Sequence, residues 1–230
     1  MGKPLIVNGF SPHPNFCVKV GIWVRCFTMK SETSCSLNRS AKGPSGKIEP
    51  IFDPADIKRI KSMLEYSPRN WGLFVFGINT AFRASELVLI KVGDVAELRE
   101  GDSFALREPK TEKYRRVTLN AYAIEAVQRC IAAHPNLQAG APLFWSHKTR
   151  RALVAGSLHK IVKRWCEEAG LAGRFGSHTL RKTWGYQQRV QHDEPLSLLT
   201  KAFGHSSEAQ TLEYLCIQPD ELQRLYQNKI

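Results

Sequence analysis

The sequence predicts an α+β domain that is mainly α and carries one small antiparallel β-sheet. Three observations predict it. Apolar residues recur at helical spacing through most of the chain beyond residue 50, and capping residues stand at the starts of these runs. Only one stretch, "SFALREPKTEKYRRVTLN", reads as two strand-like arms around a polar turn.

The elements follow in order. Asp53 can cap and Pro54 can open the helix "FDPADIKRIKSML", in which Ile57, Ile60 and Leu64 share a face. Two apolar helical segments come next, "WGLFVFGIN" and "ASELVLIKV", separated by "TAFR". The hairpin arms are Phe104 to Arg107 and Arg116 to Leu119, with Lys110 and Lys113 in the turn. Asn120 is expected to cap "AYAIEAVQRCIAAH", and Ser157 to cap "LHKIVKRWCEEA", which Gly170 stops. Further helices are expected over roughly 178–190, 195–203, 207–216 and 220–228.

Residues 1–50 read differently. Their apolar residues keep no period, and "KSETSCSLNRSAKGPSGK" is a polar Ser/Lys/Gly stretch of the kind that stays flexible. The expected division is a flexible or remnant segment over 1–50 and a folded domain over 51–230. With 230 residues, 43% of them hydrophobic, a sizeable core can form. A formal charge of +12 suits a polyanionic partner, either nucleic acid or an anionic membrane surface. No apolar run approaches the roughly 18 residues of a membrane span, so a cytoplasmic protein that does not enter membranes is expected. The six cysteines show neither CxxC pairs nor histidines at metal spacing, which disfavours a disulfide framework or a zinc site.

Candidate chemistry concentrates in four places. In "GSHTLRKTWGY", His178 and Arg181 lie three residues apart at a helix start and share a face, which pairs a proton-transfer group with a fixed cation. In "TAFRASEL", Arg83 precedes Glu86 by three residues, a spacing that fits a local ion pair, an arginine holding an anion, or both. The hairpin turn offers Lys110 and Lys113. In "AFGHSSEAQTLEYLCI", His205 stands nine residues before Tyr214, which lies between Leu212 and Leu215. Taken alone, Tyr214 reads as a packing aromatic or as a nucleophile.

Taken together, Arg83, Lys110, His178, Arg181, His205 and Tyr214 resemble, in order and in flanking sequence, the catalytic signature of the tyrosine recombinases, the phage integrase family. The resemblance covers about residues 51 to 230 and implies the catalytic-domain fold of that family. It further implies that Tyr214 attacks a scissile phosphodiester to form a 3′-phosphotyrosine bond. Arg83 and Arg181 would stabilise the phosphate, His178 would exchange a proton with the tyrosine and His205 would donate to the phosphate. Lys110, aligned through "PKTEK" in preference to Lys113, would protonate the leaving 5′ oxygen. The implied partner is double-stranded DNA, bound by a homo-oligomer that reaches a tetrameric synapse, with accessory DNA-bending proteins. The implied cofactor set is empty, since a phosphotyrosine conserves the phosphodiester energy without ATP or a metal.

The family also carries a helical core-binding domain ahead of the catalytic one, and residues 1–50 are too short and aperiodic to supply it complete. The C-terminal "PDELQRLYQNKI" is expected to be a short helix that packs on its own domain or docks on a neighbouring protomer. Two rival activities share these features. One is a type IB topoisomerase-like relaxation, and the other is a non-catalytic integrase remnant that only binds DNA.

Overall fold

Helix α2, Pro68–Thr80, runs through the centre of the domain and buries Trp71, Leu73, Phe74, Val75 and Phe76. It packs between α5 (Ala121–Ala132) and α7 (Thr179–Gln191), and two glycines permit the close approach. A Cβ on Gly72 would lie 2.3 Å from Cys130 Sγ, and one on Gly77 would lie 2.6 Å from Leu180 Cδ1. Either contact is far inside van der Waals range, so alanine at these positions would push the helices apart. The computed structural model describes residues 46–107, 114–217 and 226–227.

The first helix, α1 (Pro54–Met63), starts as the sequence predicts, with the Asp53 carboxylate accepting from the Ala55 amide at 2.8 Å and Pro54 in the first turn. Asn120 likewise caps α5 by accepting from the Ala123 amide at 2.9 Å. The expected hairpin is present as β1 (Ser103–Arg107) and β2 (Tyr114–Thr118), antiparallel, with Phe104 opposite Val117 and Leu106 opposite Arg115. Its turn, with Lys110 and Lys113, lies outside the described residues.

Two expected helices differ. "ASELVLIKV" forms two single turns, α3 (Ala84–Leu87) and α4 (Val92–Val95), in place of one helix. Between them the chain extends. Lys91 bridges Pro142, the Leu143 amide donates to the Ile90 carbonyl at 2.8 Å, and the Val92 amide donates to the Ala141 carbonyl at 2.9 Å. These cross-chain bonds replace helical ones: Val88 and Leu89 complete the turn that closes α3, and Lys91 is extended before α4. Helix α6, Ala155–Glu168, begins before Ser157, which lies inside its first turn. Extended Val154 ends the Trp145–Ala152 bridge region and sets the start, with no side-chain cap.

The last described helices, α8 (Leu196–Phe203) and α9 (Glu208–Leu215), pack against each other and against α7. Ser207 caps α9 by accepting from the Gln210 amide at 3.2 Å. The expected helix over 220–228 lies outside the described residues, apart from Tyr226 and Gln227, which are helical and exposed. Residues 47–51, placed at the edge of the flexible segment by sequence, are already tied down. The Glu49 amide donates to the Arg174 carbonyl at 2.7 Å, and the Ile51 amide donates to the Thr183 hydroxyl at 2.8 Å. Cys130, Cys166 and Cys216 are buried, and burial pushes the thiols of Cys130 and Cys166 up to about 12. Among the described residues, no helix is long and apolar enough to cross a membrane.

Candidate active site

The start of α7 forms the floor of the site. The Gly176 amide donates to the Thr179 hydroxyl at 3.0 Å, which donates in turn to the Glu49 carbonyl at 2.9 Å, so the first turn is fixed from two sides. His178 stands at the N-cap, and Arg181 points inward with 2% exposure. One Arg181 nitrogen donates to the Ala81 carbonyl and the other to the Phe203 carbonyl at 2.9 Å, while the guanidinium lies 4.8 Å from the centre of the Phe203 ring. A buried cation needs such partners. Burial first, and then the Arg115 charge, brings Arg181 down to about 10, which still leaves it charged at neutral pH.

Both carbonyls that hold Arg181 are presented by unusual backbone. Ala81 ends α2 in the left-handed region at φ 55°, and Gly204, just after Phe203, ends α8 at φ 69°. Left-handed residues close helices by letting the chain turn back on its last carbonyls. Here the turns also aim two carbonyls into the site.

A second charged group sits beside the first. Glu86, at 0% exposure, accepts from the Arg83 backbone amide at 2.5 Å, from Arg83 Nη1 at 3.5 Å and from Arg115 Nε at 3.2 Å. Of the two readings left open for "TAFRASEL", the ion pair is therefore present, and the Arg83 side chain stays 31% exposed. Arg115 crosses from β2, donating through one nitrogen to the Ala202 carbonyl and through another to the Phe203 carbonyl at 3.4 Å. Sequence reasoning missed Arg115. The signal was the strand alternation, which puts Arg115 and Val117 on the half-buried face of β2.

Tyr214 lies on α9 among three rings. Its ring centre is 5.2 Å from Phe203, 5.0 Å from His205 and 6.4 Å from His178, and its hydroxyl is 3.5 Å from His178 Nδ1. Lys182 Nζ lies 4.8 Å from the Tyr214 ring centre and donates to the Ile48 carbonyl at 2.7 Å. Burial raises the Tyr214 phenol above its ordinary value, and the Arg181, Arg83 and Arg115 charges oppose that rise. His178 is held below its ordinary value by burial and then by Lys182, Arg181, Arg83 and His159. His205 is lowered by burial and then by Arg181, Arg83 and Arg115. At neutral pH the arrangement is thus a protonated phenol beside neutral imidazoles and fixed cations.

An open cleft of about 330 Å³ exposes this constellation, lined among others by Lys47, His178, Lys182, His205, Glu213 and Tyr214. Lys47 pairs with Glu213, so the segment before α1 is clipped to the residue preceding the tyrosine. Nothing in the sequence pointed to that clip. Of the six predicted site residues, the structure brings Arg83, His178, Arg181, His205 and Tyr214 to one place, and Lys110 lies outside the described residues. A larger groove of about 460 Å³ between α1, α2 and α5 is lined by none of the six.

Comparison with known proteins supplies the family. The chain is 29% identical over 181 residues to "Probable integrase/recombinase YoeC" of Bacillus subtilis, covering 78% of this chain and 95% of that one. It is 30% identical over 156 residues to "Tyrosine recombinase XerH" of Helicobacter pylori, covering 66% of this chain but only 42% of that protein. The chain therefore spans less than half of the length of XerH. Among solved structures, XerA recombinase aligns with a TM-score of 0.65 at 18% identity, over 79% of this chain and 66% of that one. The Tn1549 transposon integrase, in complex with transposon right end DNA, aligns with a TM-score of 0.60 at 18% identity, over 79% and 67%. These likenesses show the fold. The sequence profile of the phage integrase family matches residues 51–221. That match takes in α1 through α9 and the hairpin, and the chain belongs to the phage integrase family.

Proposed function

We propose that the protein is a site-specific DNA recombinase that cuts and rejoins strands through Tyr214. The observation that carries this reading is the Tyr214 hydroxyl 3.5 Å from His178 Nδ1, beside a buried Arg181 that stays cationic. A phenol with a raised pKa is a poor nucleophile alone and needs a base at the moment of attack. Neutral His178 is that base. Its distance to the hydroxyl is long for a hydrogen bond, and catalytic bonds of this kind shorten when substrate binds.

In the proposed step the Tyr214 oxygen bonds to phosphorus as its proton passes to His178. The bond from phosphorus to the 5′ oxygen breaks, and the leaving oxygen takes a proton from Lys110. The product is a 3′-phosphotyrosine and a free 5′ hydroxyl. Attack by a 5′ hydroxyl on the phosphotyrosine, with the protons retraced, reseals the strand. Arg83 and Arg181 meet the charge that builds on the non-bridging oxygens, and His205 adds a neutral donor. Glu86 and Arg115 hold Arg83 and the Phe203–His205 turn in register.

Residues 51–230 form the proposed catalytic domain, and double-stranded DNA is the proposed partner, consistent with the +12 charge. Strand exchange requires two duplexes and hence a multimer, for which we propose a tetrameric synapse with accessory DNA-bending proteins. Two simpler outcomes remain distinct in experiment. A topoisomerase-like enzyme would relax supercoiled plasmid without synapsis, and a binding remnant would do neither. The test uses duplexes selected from a random pool for binding to the full chain and then nicked beside each scissile position, so that the short fragment carrying the freed 5′ hydroxyl diffuses away. Wild type should yield a covalent protein–DNA band on a denaturing gel, and Tyr214→Phe should yield none. The absence of any band with wild type on a verified binding duplex would refute the enzymatic reading.

A further inference from the structure

A neutral histidine can donate to a phosphate only from the ring nitrogen that carries its proton. His205 is held neutral by its surroundings, so its tautomer decides whether it can serve the role proposed above, on which this inference rests. Its Nδ1 lies 3.0 Å from the Thr211 hydroxyl. Thr211 is 0% exposed and stands three residues before Tyr214 on α9. Its hydroxyl also lies 2.9 Å from the Thr200 hydroxyl on α8, and Thr200 has the Leu196 carbonyl at 2.8 Å.

The hydroxyl of Thr211 has one proton and two acceptors within reach besides Thr200. The Ser207 carbonyl is 3.3 Å away and already accepts the Thr211 amide at the same distance. His205 Nδ1 is closer and has no other hydrogen-bond partner among the described residues. Thr200 gives its own hydroxyl proton to the Leu196 carbonyl at 2.8 Å, so it is not the donor to Thr211. With the Thr211 proton turned to His205 Nδ1, the sp² ring nitrogen being the better acceptor, the ring proton is left on Nε2. The ring itself cannot turn freely, because it stacks on Phe203 at 5.2 Å and 25° and meets Tyr214 edge-on at 5.0 Å.

We propose that Thr211 is a positioning residue that fixes His205 in its Nε2–H tautomer, so that the imidazole presents a donor to the scissile phosphate. The same helix therefore carries the nucleophile and the group that orients the phosphate donor. Tyr214 and Thr211 lie one turn apart, so any shift of α9 moves both together. Had the proton been on Nδ1, the Nε2 lone pair would face the phosphate oxygens and repel them.

The test needs no DNA. Long-range ¹H–¹⁵N correlation spectra of the full chain, labelled on histidine, distinguish a protonated from an unprotonated ring nitrogen. His205 is assigned by the disappearance of its signals in His205→Asn. In wild type above the histidine titration range, His205 should show a protonated Nε2 and a bare Nδ1. Thr211→Val keeps the shape and removes the hydroxyl, and should lower the Nε2–H to Nδ1–H ratio about five-fold, the equilibrium worth of one net hydrogen bond. Thr211→Ser should restore the wild-type ratio. A wild-type spectrum with the proton on Nδ1 overturns the proposal even if the variants fail to fold. So does an unchanged ratio in a folded Thr211→Val. Either result leaves the covalent-adduct test of Tyr214 untouched, so the two readings fail separately.

Discussion

The Tyr214 hydroxyl and His178 Nδ1 face each other at 3.5 Å, with the imidazole lowered and the phenol raised from their ordinary pKa values. Burial is the first cause of both shifts, and it favours the neutral form of each group. The free enzyme therefore rests with the proton on oxygen and a bare base beside it.

Under the proposed mechanism this pairing makes the cleavage rate depend on pH through His178. The base must be unprotonated, so single-turnover cleavage should fall as pH drops through the lowered His178 value and stay level at neutral pH. Lys182 is the largest charge acting against protonation of His178. Lys182→Met should raise that pKa and move the acidic limb of the profile to higher pH. An unmoved limb in this variant would separate Lys182 from the titration.

Stability should follow the same sign. His147, His178 and His205 all have lowered values in the folded state. Below the ordinary histidine value of 6.5 the unfolded chain binds more protons than the folded one, so acid drives unfolding. This stability is present above 6.5 and is lost as pH falls toward the folded-state values. Thermal unfolding should show a lower Tm at pH 5.5 than at pH 7.5, by a margin that shrinks in His178→Asn, on the order of the linkage of one group.

Arg181 should separate cleavage from binding. Arg181→Lys keeps a charge but cannot donate to both the Ala81 and Phe203 carbonyls and reach a phosphate as well. Cleavage should drop by roughly 10²- to 10³-fold, as for loss of a transition-state donor. Duplex affinity and its salt dependence, measured by fluorescence anisotropy, should change little.

Glu86 should matter for folding more than for chemistry. It is fully buried between Arg83 and Arg115, so Glu86→Gln leaves two guanidiniums without their counter-charge. Breaking a buried pair from one side costs about 3–5 kcal/mol, and the partial exposure of Arg83 argues for the lower figure. Urea denaturation should register a loss of about 3 kcal/mol.

The parts of this molecule legible in sequence were those fixed by local chemistry. Asp53 and Asn120 cap the helices that their neighbours predict, and the hairpin arms fall within a few residues of the observed strands. Lost were the features that depend on distant chain. The Ile90–Val92 segment has helical periodicity, yet residues 141–143 draw it into extended pairing. At the site, the five described candidates are recognisable by type and order, whereas the residues that hold them are not. Arg115 comes from a strand more than twenty residues from Glu86, and Lys47 reaches Glu213 from the opposite end of the chain. No local pattern encodes such contacts.

Peptide mapping of a trapped adduct reads out which residue of the protein becomes covalently joined to DNA. The full chain is reacted with a selected, nicked duplex, digested with protease and nuclease, and the nucleotide-bearing peptide is sequenced by mass spectrometry. A single modified residue is expected, Tyr214, joined through its phenol oxygen to a 3′ phosphate. A nucleotide on any other residue, including the exposed Tyr226, would contradict it.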